Sequence, residues 1–140
     1  MPTEIELRCD TIEECYEFTL SYAARGMSGD ESNDAGRQIR RQLTRAAEAM
    51  RDLKACCAAT IAKEQLAPAE RYEAFFAVLA RDAECAVAAV ELVLTQPVIS
   101  AQLIDNLNAS IHLRALLTDL FLVTEIFQLR QTQANALAPN

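Results

Sequence analysis

Apolar residues recur along this chain at intervals of three and four. Ile39, Leu43, Ala46, Met50, Leu53, Cys57 and Ile61 form one such series, and Tyr72, Phe76, Leu79, Ala83, Ala86, Val90 and Val93 form another. That spacing sets one side chain per turn on a single face of an α-helix. Helix breakers divide the pattern. All three glycines lie in "GMSGDESNDAG", residues 26–36, and Pro68 and Pro97 are the only prolines away from the termini. This punctuation predicts helices near 11–25, 35–65, 68–95 and 100–135. Asp10 or Thr11 is placed to cap the first, with Glu13 or Glu14 closing a capping box. Pro68 suits the first turn of the third helix, and Ser100 is placed to cap the fourth. Before the first helix, "EIELRC" alternates Ile5, Leu7 and Cys9 with charged residues. The alternation predicts an extended arm over residues 1–10, lying on the helices or on a second subunit.

Short connections favour antiparallel neighbours. The expected fold is therefore all-α: an antiparallel up-down four-helix bundle with a short first helix and an extended N-terminal arm, residues 1–140 forming a single domain. Composition fits a helical chain, with 51% hydrophobic residues, 25 alanines and no Trp. Alanine has the highest helix propensity and lets helices approach closely. No apolar run approaches the ~20 residues that span a bilayer, and "MPTEIELRCD" has no apolar signal segment. A cytoplasmic protein without membrane contact is the expectation.

Charge changes the picture only locally. Residues 1–34 hold nine acids against Arg8 and Arg25, which accounts for the whole net charge of −7. Arg37, Arg40, Arg41 and Arg45 then give the second helix a basic ridge. Such a ridge can bind phosphate groups. In an acidic chain with few aromatics, neutralisation by the acidic segment is the simpler expectation, and nucleic acid is not an expected partner.

Candidate chemistry is sparse. Five cysteines without an export signal read as reduced thiols, with Cys57 on a core stripe and Cys9 or Cys56 the alternative for redox control. A di-iron site needs Glu-x-x-His on two helices, but Ala109 stands three before His112 and there is no second histidine. Zinc needs convergent Cys and His, and Cys9/Cys15 and Cys56/Cys57 lack the usual spacing. A lone histidine among helices invites comparison with histidine phosphotransfer domains, yet "HLRAL" lacks their "HxLKG" pattern. No cofactor, metal or catalytic residue is expected, and the chain reads as non-enzymatic.

The last helix carries the remaining signal. Twelve of the nineteen residues from Ile111 to Leu129 are apolar, more than one bundle seam requires. His112 and Asp119 share a direction on it, flanked by Leu113, Leu116, Leu120 and Val123. Seven residues apart, they are separated by about 10.5 Å along the axis and cannot bond each other within one helix. The expected function is protein–protein association: a homodimer, with a further protein partner in an adaptor or regulatory role. Its interface would comprise His112, Ala115, Leu116, Asp119, Leu120, Val123, Ile126 and Phe127. A two-fold axis between Ala115 and Leu116 would bring His112 against Asp119 of the second copy. Two alternatives stand beside it: anion binding by Arg37, Arg40, Arg41 and Arg45, and a small-molecule pocket among the helices near His112 and Asp119.

Overall fold

The computed structural model describes residues 1–137 and is predominantly helical. In chain order it comprises α1 (Glu4–Ala24), β1 (Ser28–Asp30), α2 (Asp34–Met50), α3 (Leu53–Glu64), α4 (Ala69–Leu94), β2 (Val98–Ser100), α5 (Ala101–Ala109) and α6 (Ile111–Leu137). The all-α class is as the periodicity indicates. Among the described residues there are six helices rather than four, because the second and fourth expected helices each divide in two.

The N-terminal arm is a correction. Residues 4–10 are the start of α1, not an extended segment. Thr3 accepts a hydrogen bond from the Glu6 amide at 3.1 Å, and the Thr3 amide donates to the Glu6 carboxylate at 3.0 Å. This is a complete capping box, at Thr3 rather than at Asp10 or Thr11. Ile5, Cys9, Ile12, Cys15, Thr19 and Tyr22 are buried at helical intervals, while Leu7 faces out at 49% exposure. Ile5 and Cys9 are thus one helical turn apart, and Leu7 between them never belonged to a strand face.

The break between α2 and α3 falls at Arg51 and Asp52, where Asp52 adopts a left-handed conformation with φ 60°. Aspartate is among the few residue types that visit this region readily. α5 begins at a Ser100 cap, whose hydroxyl accepts from the Leu103 amide at 3.1 Å. It ends at Ser110, with ψ 128°, and α6 starts one residue later.

The glycine-rich stretch holds a small sheet that periodicity does not reveal. β1 and β2 pair antiparallel, Ser28 with Ser100, Gly29 with Ile99 and Asp30 with Val98. A side chain on Gly36 would run into the Asp30 carbonyl, and one on Gly29 into the Gly36 backbone. The two glycines therefore let β1 lie directly against the first turn of α2. The buried Tyr22 hydroxyl donates to the Ile99 carbonyl at 2.6 Å, tying β2 to α1.

One core joins these elements. Ile5 and Ile12 of α1, Ile39 and Leu43 of α2, Leu79 and Val90 of α4, Ile104 of α5, and Leu116 and Leu120 of α6 are all essentially sealed from solvent. α6 packs chiefly on α4 and α1. No helix among the described residues is long and apolar enough to cross a membrane.

Candidate functional site

The phase of α6 is set by what it buries. Leu113, Leu116, Leu117, Leu120, Val123 and Phe127 fill the core. Four residues expected at an intermolecular face, Leu116, Leu120, Val123 and Phe127, thus belong to the chain's own core. With Leu116 at 0% exposure, a two-fold contact centred on it is closed off. Ala115, Asp119 and Ile126 are half-buried, and His112 is exposed rather than in the apolar stripe. The core arc lies about a fifth of a turn from where the sequence put it, so these four line its edge.

At that edge Asp119 meets Asp82 of α4. Two ionised carboxylates have acceptors on both sides and no donor, so the contact becomes a hydrogen bond only when one holds a proton. Burial, then the Asp82 carboxyl, pushes Asp119 up from its usual 3.8 to about 7. Its Oδ2 is buried and has no hydrogen-bond partner among the described residues.

The two helices run antiparallel here. The Arg130 guanidinium approaches the Glu64 carbonyl at 3.5 Å, placing the later part of α6 beside the end of α3 and hence the start of α4. With Asp82 beside Asp119, positions on the seam pair when their numbers sum to about 201. Phe75 then falls beside Ile126 and Val78 beside Leu122. Phe75 and Ile126 are half-buried, whereas Val78, Leu122 and Leu129 are 49%, 51% and 54% exposed. This register sets them on one outward side of α4 and α6 as an apolar patch. α6 runs on past it, every residue from 128 to 137 being exposed.

The arginine ridge of α2 is mostly engaged within the chain. Arg40 donates to the carbonyls of Leu94, Gln96 and Pro97 at 3.0, 2.7 and 3.1 Å, bracing the segment between α4 and β2. Arg45 lies 3.5 Å from Glu14 of α1, and Arg37 lies 3.8 Å from Asp34. Of the four ridge residues, Arg41 alone is exposed with neither an ion pair nor a side-chain hydrogen bond to the described residues. Neutralisation by the acidic segment is realised at Arg45, but Arg40 serves backbone carbonyls, a role no charge pattern discloses.

The cysteines are core residues. Cys9, Cys15, Cys56 and Cys57 are buried and Cys85 is half-buried. Burial raises Cys9 to about 11, with Glu13, Asp10 and Glu6 adding to it, and raises Cys15 and Cys57 to about 12. Such thiols are almost wholly protonated near neutral pH and poorly reactive. Among the described residues, no three His, Cys, Asp or Glu side chains converge as a metal site.

Besides a groove of about 410 Å³ between α1 and α5 over Leu20, Ala23, Gln102 and Asn108, two more surface grooves are of similar size. One of about 390 Å³ lies between α1 and α6, lined by Glu6, Asp10, Glu13, Glu125 and Phe121. The other, of about 380 Å³, lies between α3 and α4 over Cys57, Ile61 and Phe76. Neither reaches His112 or Asp119.

No protein-family model matches this chain, nor does any curated protein or solved structure.

Proposed function

We propose that this is a non-catalytic helical protein that works by association, pairing with a second copy of itself through the outer face of α4 and α6. The observation that carries this reading is the patch of Phe75, Val78, Leu122, Ile126 and Leu129, which spans two helices. Isolated exposed apolar residues need no explanation, but a contiguous group on adjoining helices marks an interaction surface. Anion binding on α2 is the weaker reading, since Arg37, Arg40 and Arg45 already have partners in the chain.

Two helices each about 10 Å across, engaged over about 25 Å, offer on the order of 500 Å² per copy. A standard stable interface buries about 800 Å² per partner. The expected dimer is therefore weak, dissociating in the micromolar range. Light scattering and sedimentation across that range test it. Leu122→Asp removes a half-exposed leucine contact twice per dimer, about 1 kcal/mol each time, so the dissociation constant should rise at least about thirtyfold. A chain that is monomeric at hundreds of micromolar contradicts the proposal.

A further inference from the structure

The apolar patch is bracketed by opposite charges at equal spacing. On α4, Asp82 stands eleven residues after Arg71; on α6, Arg130 stands eleven residues after Asp119. Eleven residues are about three turns, so each pair lies on one face of its helix, about 16 Å apart. Because the helices are antiparallel, the two acids fall together at one end and the two arginines at the other. Arg71 and Arg130 are exposed and take part in no ion pair among the described residues. The midpoint of Arg71 and Asp82 lies between Phe75 and Val78, and that of Asp119 and Arg130 lies between Leu122 and Ile126. Acid pair, apolar centre and basic pair make a surface that complements itself when reversed.

Resting on the association reading above, we infer that two copies meet face to face about a two-fold axis crossing both helices at this apolar centre. Asp82 and Asp119 of each copy then receive Arg71 and Arg130 of the other. A two-fold contact makes position i meet j and j meet i, so Asp82 faces Arg71 twice and Asp119 faces Arg130 twice. The apolar residues pack between, with Phe75 opposite Val78. The other in-plane axis, running along the helices, would stack four carboxyls at one end and four guanidinium groups at the other. Like charges juxtaposed in this way oppose association, so the pattern selects the antiparallel register. It also supplies the carboxyl pair with what the single chain lacks, since a guanidinium brings several donors in a fixed fork to carboxylate oxygens.

The test is a charge exchange. One variant carries Arg71→Glu and Arg130→Glu; the other carries Asp82→Lys and Asp119→Lys. Each variant alone opposes like charges at both ends and should dimerise at least about tenfold more weakly than the parent chain. Mixed together, acid meets base at every position, and native mass spectrometry should show the heterodimer in clear excess over both homodimers. Raising salt should shrink the difference, because exposed charges are screened. Circular dichroism checks that each variant folds. If the lysine variant does not fold, Asp82→Asn with Asp119→Asn replaces it, and it should associate with the glutamate variant more readily than the glutamate variant associates with itself. A parent chain that never dimerises removes the association reading as well. A parent dimer that the charge variants leave unchanged, or a mixture that pairs at random, overturns this register alone.

Discussion

Replacing Asp119 by asparagine should stabilise the folded single chain at pH 8 and leave it unchanged at pH 4. In the fold Asp119 titrates near 7 instead of 3.8, because it is partly buried and touches Asp82. α1 and α5, which also pack on α6, place no charge that shifts it. Below about pH 4 the carboxyl is protonated both folded and unfolded, and the contact costs nothing. Between about pH 4 and 7 the folded chain holds a proton that the unfolded chain has released, so stability falls as pH rises. Above 7 both states are ionised and the cost is complete. A shift of about three units corresponds to a ceiling of about 4 kcal/mol. The pair is half-exposed, and solvent screening reduces this to roughly 1–2 kcal/mol. Asparagine removes the charge and offers its amide N–H to Asp82. Urea unfolding followed by circular dichroism at low micromolar protein is the assay, with parent and Asp119→Asn compared at both pH values. Groups remote from this contact contribute equally in the two chains, so the difference isolates the Asp82–Asp119 contact. The midpoint should rise by about 0.5–1 M at pH 8, taking about 2 kcal/mol per molar for the slope. An equal gain at pH 4, or a loss at pH 8, would refute the reasoning.

Three further outcomes follow from the fold. Gly36→Ala sets a methyl group against the Asp30 carbonyl and should cost at least about 2 kcal/mol, read as a lower unfolding midpoint. Arg40→Ala strips a shared donor from three carbonyls of residues 94–97; a loss of about 1–3 kcal/mol that persists at high salt would mark Arg40 as a brace, and unchanged stability would free it for an external anion. Under native conditions a thiol reagent should modify the half-buried Cys85 first and leave Cys57, buried with its thiol raised to about 12, untouched until unfolding; early labelling of Cys57 would show that the groove over it opens.

How far these features were legible depended on whether the signal was local. α4 was placed within one residue at each end, because Pro68 and Pro97 punctuate it and its apolar series is unbroken. The break after Met50 has no glycine or proline to announce it and rests on one left-handed aspartate. Ser110 interrupts the last expected helix just as quietly. The N-terminus misled for a different reason: over six residues, Ile5, Leu7 and Cys9 fit a strand period as well as Ile5, Cys9 and Ile12 fit a helix. Only the Thr3–Glu6 capping box separates the two. At the candidate site, Asp119 drew attention as an ionisable residue beside apolar neighbours, but its partner Asp82 sits 37 residues earlier. Finding that partner requires the antiparallel register of α4 and α6. The eleven-residue spacing of Arg71 to Asp82 and of Asp119 to Arg130 was open to inspection from the start, yet it acquires meaning only when the two helices lie side by side.

The most direct measurement of self-association through α4 and α6 is a distance between two copies. A spin label on Leu92, which is 66% exposed near the end of α4, placed in a Cys85→Ser background, reads the arrangement by pulsed dipolar spectroscopy. With the two-fold axis between Phe75 and Val78, each label lies about 23 Å along the helix from the axis, so the pair should stand about 45 Å apart. A dominant distance below about 25 Å would mean parallel helices or another face, and no dipolar signal at high protein concentration would mean no dimer.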